Sequence, residues 1–416
     1  MTTEVFGARV KQARVLRRMT SKEVVASLGW PATRMTRLEK SDPAAMDAAD
    51  LEALAALLRF PARFFTTPPR SRVGASDLLF RAPKSTTGKE KEYLAEFAAC
   101  AGDFLEELDG MHKLPAVKLP MVPPKTDVAS AAAAVRDTFE ARWDEPIAYL
   151  TSDMERAGVA VVSRGRRNKS GGMLDWRRYP GQNASASGED DVVQLLERHH
   201  GYSARVGEHR DRPLAVYRAT DSWERTRFTL AHELGHLVLH HGGAITEDKE
   251  AEAHRFAAEL LIPSEALARE VPPLPTLFNL VPVKLKWGMS IGALVNHLFQ
   301  SRLIDQSRYD SLRSQLYTRV NPETGHSWGK TEPKWDAYQP ERPRLVRRWV
   351  ERCYGESATA ASLAPRVIWP QDVLEDLLAG QRSNPRSKGR PPTPDTDAPL
   401  GMVVDAAQRF RAKQRA

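Results

Sequence analysis

The sequence predicts a mainly α-helical protein with a small β-sheet, α+β overall. Apolar residues recur at helical spacing in several long stretches, among them 224–241, 247–261 and 290–318. Short runs at 158–162 and 213–217 have the apolar character typical of strands. Because helical stretches lie on both sides of the strand candidates, we expect an N-terminal helical bundle, a central domain with a small sheet and a helical C-terminal region.

The bulk composition indicates a soluble protein of several units. With 416 residues the chain is too long for one core. No apolar run approaches the roughly 18 residues of a membrane helix, and the N-terminus lacks a signal-peptide core. Two distant cysteines, Cys100 and Cys353, predict neither a disulfide framework nor a cysteine metal cluster. We therefore expect a cytoplasmic protein with no membrane partner.

Proline, glycine and charge mark the expected boundaries. The formal net charge is +8, and much of the excess lies at the two ends, which is compatible with nucleic-acid binding. Residues 164–211 lack periodicity and are interpreted as a long surface insertion. The predicted units are 1–66, a linker at 67–120 with one long helix, 121–270, a helical extension at 271–345 and a C-terminal region at 346–416 whose basic tail is partly disordered.

The first unit has the pattern of a helix-turn-helix. Thr20 and Glu23 have capping-box spacing, and Gly29 follows the second helix. Two helices joined by a tight glycine turn are typical of a DNA-binding element, which makes 31–40 the recognition segment. The side chains available to bases and phosphates are Thr33, Arg34, Thr36, Arg37 and Lys40. The alternative is a small helical bundle used only for docking.

The motif with most chemistry is His232-Glu233-Leu234-Gly235-His236. Residues four apart on a helix face the same side, so both imidazoles can point at one metal ion. Zinc accepts imidazole nitrogens, and a catalytic site uses three protein ligands and leaves a fourth position for water. Glu233 is then placed to take a proton from that water. Such a motif also arises by chance, but here it lies within a periodic helix and an acidic helix follows.

The third ligand is expected from that second helix. Glu250 and Glu252 are the candidates, and Glu250 is favoured because it lies four residues before His254. His254 could then hydrogen-bond to a ligand. His240 and His241 extend the cluster as residues that either face solvent or support a ligand.

Two stretches resemble known families. The segment 224–240, followed by 250–263, looks like the ImmA/IrrE metallopeptidases, and 6–65 resembles the Xre/Cro-type helix-turn-helix. The resemblance implies a gluzincin-like fold, with His232, His236 and Glu250 as Zn²⁺ ligands and Glu233 as general base. Position 254 is His where that family usually has Asn or Asp. In the stretch that resembles the Xre/Cro-type helix-turn-helix, Ser21 stands where such units often have a DNA-contacting Gln. Val25 stands where they have a small Ala.

The resemblance implies a DNA-binding transcription regulator that carries a zinc-dependent endopeptidase. Its partner protein would be cleaved, for example a repressor, and the chain would bind its operator as a homodimer. The alternative is a non-proteolytic antitoxin or repressor of a toxin–antitoxin module. In that case the peptidase fold would only bind the toxin.

Overall fold

The computed structural model describes residues 2–80, 87–164, 201–218, 222–240, 242 and 245–380. Within these ranges the protein is mainly helical with two small sheets, as the sequence predicts. The described part up to Gly380 belongs to one compact unit. No helix in it is long and apolar enough to cross a membrane.

The N-terminal bundle combines five helices with a two-stranded antiparallel sheet. The helices are α1 (Gly7–Leu16), α2 (Ser21–Leu28), α3 (Arg34–Lys40), α4 (Ala48–Leu58) and α5 (Ala62–Phe65), and the strands are β1 (Thr2–Val5) and β2 (Ala44–Asp47). The capping box predicted at Thr20 and Glu23 is confirmed, and Gly29 ends α2 with a left-handed φ of 64°. The recognition segment predicted at 31–40 is helical from Arg34, after a turn at 32–33.

A long helix, α6 (Gly88–Met111), connects the bundle to the rest of the molecule. Its buried residues include Leu94, Phe97, Phe104 and Leu105. They share one core with the bundle, with one face of the central sheet and with the C-terminal helices α15 (Leu345–Tyr354), α16 (Ala360–Leu363) and α17 (Gln371–Leu378). We call this the α6 core. The predicted disordered tail after 380 lies outside the described residues.

The central sheet has three strands, β3 (Ala160–Arg164), β4 (Gly201–Val206) and β5 (Arg212–Arg218), in the order β3-β5-β4. β3 runs parallel to β5, and β4 runs antiparallel to it. Alternate residues point to opposite faces: Val162 and Val216 face the α6 core, whereas Val161 and Ala215 face a second core. Burial on both faces explains why β3 and β5 read as continuous apolar runs.

β4 corrects one prediction. Residues 164–211 were expected to form a surface insertion, which is wrong for 201–206, because this segment is a buried strand. The strand is hidden in the sequence because its apolar residues, such as Tyr202 and Ala204, alternate with polar ones that also have partners. Ser203 is fully buried, and Arg205 donates to the carbonyl of Leu237 at 3.2 Å. Residues 165–200 lie outside the described part of the chain.

Helices cover the other face of the sheet and enclose the second core. They are α7 (Val128–Thr138), α8 (Leu150–Arg156), α9 (Trp223–Leu239), α10 (Glu247–Leu261), α11 (Ser264–Glu270), α12 (Leu280–Trp287), α13 (Ile291–Gln300) and α14 (Gln306–Thr318). The stretch predicted as helical at 290–318 is thus two helices. α9, which carries the motif His232–His236 (HExxH), lies against β4 and β5 on one side and against α10 on the other. The motif is therefore held between the sheet and α10.

Candidate metal centre

α9 carries the two histidines of the motif on one face. The helix begins after Ser222, whose side chain caps the backbone N–H of Arg225 at 3.1 Å. Its apolar stripe, which includes Leu230 and Leu234, is fully buried. This burial fixes the rotation of the helix, and the Nε2 atoms of His232 and His236 lie 3.1 Å apart.

α10 brings a carboxylate to the same point. Gly235 allows the close approach of the two helices, because a Cβ there would lie 2.9 Å from the ring of Phe256. Glu250 Oε2 lies 3.3 Å from Nε2 of His232, and its Oε1 lies 3.3 Å from Nε2 of His236. The structure therefore brings together the three residues that the sequence proposes as ligands, and they form one possible metal-holding group.

The separations fit a zinc ion. Zinc bonds of about 2.0–2.1 Å in a tetrahedral shell place neighbouring ligand atoms about 3.3 Å apart. The two Nε2 atoms lie 3.1 Å apart, and each lies 3.3 Å from a different oxygen of Glu250, so each of these pairs taken singly has about this spacing. Two imidazole nitrogens and one carboxylate are also a donor set that zinc uses in catalytic sites.

The electrostatics of the three groups favour metal binding. Burial lowers the pKa of both His232 and His236, so the imidazoles are held neutral with lone pairs to offer. Burial alone would raise the pKa of Glu250, but its hydrogen bonds with the two histidines outweigh burial and hold that pKa well below its usual range. The carboxylate is therefore ionised.

Glu233 lies next to the cluster but points towards the sheet. Its side chain is buried, and its Oε2 accepts a hydrogen bond of 2.9 Å from Ser203 Oγ on β4. Burial raises the pKa of Glu233 well above its usual range, against the opposing effect of that bond. Gly201 leaves room for this carboxylate, since a Cβ there would lie 2.8 Å from Oε1. Glu233 is thus buried beside the cluster and against β4.

The other histidines of the region have different surroundings. The ring of His254 lies 4.5 Å from that of His232, centroid to centroid, and 5.8 Å from Phe228. His240 is buried, and its Nδ1 lies 2.9 Å from Nδ1 of His236. Glu252, the alternative third ligand, contacts Nε2 of His240 at 3.1 Å instead of the cluster. His241 is outside the described residues.

The predicted DNA-contacting residues lie on or beside α3. Thr33, Thr36, Arg37 and Lys40 are exposed. Arg34 is half-buried: its guanidinium lies over the ring of Trp30 at 4.0 Å and donates to Asp50, and 35% of its side chain is exposed.

The sequence did not indicate Ser203, and it left undecided whether His240 faces solvent or supports a ligand. Ser203 precedes Glu233 by 30 positions and lies on the strand taken for an insertion. For His240 a signal existed. It lies one helical turn after His236, so the two side chains share a face.

α9 and α10 bring together the two histidines of the HExxH motif and a glutamate later in the chain. This arrangement is typical of a zinc-peptidase-type site. The comparison with protein families agrees: residues 191–299 match Peptidase M78, described as an IrrE N-terminal-like domain. The matched range holds the whole cluster, Glu233 and Ser203, whereas the N-terminal bundle lies outside it. A search of curated proteins found no match.

Proposed function

We propose that this chain is a DNA-binding transcription regulator whose zinc-dependent endopeptidase site acts on a partner protein, such as a repressor. The observation that carries the peptidase part is the convergence of three donor side chains from two helices. One ligand atom each of His232, His236 and Glu250 lies within 4.8 Å of the others, and a glutamate follows the first of them in the motif.

The residues divide the chemistry between them. Zinc, when bound, would polarise a peptide carbonyl and lower the barrier to attack by water. His232, His236 and Glu250 would hold the metal and leave one side open to the substrate. Glu233 would accept the proton of the attacking water at its carboxylate and pass it to the leaving amine. Ser203 supports this role because its hydroxyl orients Oε2.

The metal step is tested with the purified full-length chain. We expect about one zinc per chain by elemental analysis, and His232→Ala should lose it, since two donors remain. Zinc content far below one, and insensitive to this change, would refute the proposed centre.

The catalytic step is tested with Glu233→Gln, which leaves the three donors unchanged. Wild type and variant are incubated with a mixed peptide library, and new termini are identified by mass spectrometry. We expect the variant to keep zinc and to lose cleavage, whereas Glu52→Gln, an exposed glutamate on α4, should cleave like wild type. Cleavage that survives Glu233→Gln would exclude this residue as the base.

One observation favours the non-proteolytic alternative, in which the chain is an antitoxin or repressor that holds its partner without cutting it. Glu233 is only 3% exposed and its carboxylate already has a partner in Ser203. A base enclosed in this way suits a binding site as well as a catalytic one. Regulation of a cognate toxin that persists in Glu233→Gln would select this function.

DNA binding rests on the exposed side of α3. Arg37 and Lys40 lie one turn apart with free access to solvent, as phosphate contacts require. After selection of a binding sequence from random DNA, Arg37→Ala with Lys40→Ala should reduce the slope of log affinity against log salt by about 2, since each phosphate contact contributes about 0.9. An unchanged affinity and slope would reassign the bundle to docking. We further propose a homodimer on DNA, because such units read paired half-sites.

A further inference from the structure

His236 differs from His232 in what its second ring nitrogen meets. Nδ1 of His236 lies 2.9 Å from Nδ1 of His240, and Nε2 of His240 lies 3.1 Å from Oε2 of Glu252. Nδ1 of His232 is buried and has no hydrogen-bond partner among the described residues. The three side chains Glu252, His240 and His236 therefore form a continuous series of contacts that ends at the donor cluster.

The hydrogen positions along this series follow from its chemistry. A carboxylate only accepts hydrogen bonds, so Nε2 of His240 must carry the proton that Glu252 receives. A neutral imidazole has one donor and one acceptor nitrogen, so Nδ1 of His240 is the acceptor. The proton between the two Nδ1 atoms must then belong to His236. With a metal ion in place of the hydrogen bond between Nε2 and Glu250, this leaves the lone pair of His236 on Nε2, which is the atom that faces His232 and Glu250.

On the basis of the proposed zinc site, we infer that Glu252 and His240 are positioning residues that fix the tautomer and ring orientation of His236 for metal binding. We call the series Glu252–His240–His236 the relay. It runs from the carboxylate of Glu252, whose side chain is 43% exposed, to the imidazole of His236, which is 0% exposed. His240 is held in place because it follows α9 directly, and its backbone N–H bonds to the carbonyl of His236 at 3.0 Å. Partners of this kind typically change metal affinity about 10- to 100-fold when removed.

The test is zinc affinity, measured on the full chain by competition with a chromophoric chelator. His240→Phe keeps an aromatic ring, although a larger one, and removes the acceptor, so we expect zinc to bind about 10- to 100-fold more weakly. His240→Asn places an amide oxygen near the position of Nδ1 and should recover most of the loss. Glu252→Gln, at a half-buried position, keeps an oxygen that can accept from His240 and should give a smaller loss.

The matched control is His297→Phe. His297 is also a buried histidine that bonds to a neighbour, the carbonyl of Ile262 at 2.8 Å, but it has no contact with the relay. Its removal should lower thermal stability and leave zinc affinity unchanged. A second measurement uses histidine-selective ¹⁵N labelling, in which we expect the proton of His236 on Nδ1 and that of His240 on Nε2.

The outcomes separate the two proposals. If wild type binds zinc and His240→Phe binds within about twofold of it, the relay is refuted and the zinc site stands. In the zinc-loaded labelled chain, a His240 proton on Nδ1 instead of Nε2 would also refute it. If wild type itself binds no zinc, the proposed function fails, whatever the variants do.

Discussion

Replacement of Asp103 by alanine tests whether the N-terminal bundle is fastened to α6 by a buried ion pair. Arg9 on α1 and Asp103 on α6 have side chains that are 1% and 2% exposed, and their charged groups lie 2.5 Å apart. The other oxygen of Asp103 accepts the backbone N–H groups of Arg70 and Ser71 at 2.8 and 2.7 Å. One carboxylate therefore ties two helices and the segment between them.

The expected loss follows from what Asp103→Ala leaves behind. A buried charge without its partner costs about 3–5 kcal/mol. Arg9 keeps the carbonyls of Thr67 and Pro68 and the side chain of Gln12 as acceptors, which places the loss near the lower limit. Because a folded protein is stable by only about 5–15 kcal/mol, a loss of about 3 kcal/mol is a large shift of the unfolding midpoint.

The assay is urea unfolding of the full chain followed by circular dichroism. Glu92→Ala is the matched control, since Glu92 joins the same two helices through Lys11 at 3.1 Å but at the surface. Exposed pairs contribute about 0–1 kcal/mol, so this control should change little. Equal effects of the two variants, or a loss below about 1 kcal/mol for Asp103→Ala, would refute the assignment of the ion pair as an anchor.

Three further predictions concern stability, each read from urea unfolding of the full chain. Burial raises the pKa of Glu155 to about 7, above the 4.5 of a free carboxyl, so the folded state binds more protons between these values and stability falls as pH rises through this window. Glu155→Gln should flatten that fall, by at most about 1.4 kcal/mol per pH unit, and parallel curves would contradict the assignment. Lys284→Met should lower the free energy of unfolding by about 3–5 kcal/mol, because it removes a fully buried ammonium and leaves its carboxylate partners, Glu224 at 2.6 Å and Glu332 at 2.9 Å, without it. A change within about 0.5 kcal/mol would count against this assignment. Gly102→Ala should destabilise the protein by about 1–3 kcal/mol, since its Cβ would lie 2.8 Å from Val206. Gly110→Ala on the same helix is the control, because its Cβ meets open space and should cost nothing of this kind. A larger loss for Gly110→Ala than for Gly102→Ala would disprove close packing at 102.

Much of the cluster could be predicted because its geometry is local. His232 and His236 are one helical turn apart, which places them together whatever the rest of the fold does. Glu250 follows on the next helix after a short connection, and a short connection between two apolar-faced helices leaves little choice except to pack them side by side. The strand candidates at 158–162 and 213–217 overlap β3 and β5, because burial on both faces requires unbroken apolar runs, but β3 begins two residues later than predicted.

What escaped prediction depends on contacts between distant parts of the chain. Ser203 and Arg205 are polar residues on a buried strand, and only their partners on α9 explain why they are there. The contacts of Arg34 with Asp50 on α4 and with Trp30 are of the same kind, whereas its predicted role at DNA stays a prediction. No pattern in a single segment specifies such pairings.

α6 contacts both the N-terminal bundle and the strand beside the metal cluster. On one side its Asp103 holds α1 through Arg9. On the other its backbone accepts a hydrogen bond of 3.2 Å from the hydroxyl of Tyr202, and the next residue of β4, Ser203, bonds to Glu233. Since the bundle and this face of the sheet share one core, separating them would expose a charged pair and apolar surface together. We therefore expect the bundle and the β4 side of the metal site to unfold in one transition. Experiments on the bundle or on the metal site accordingly require the whole chain.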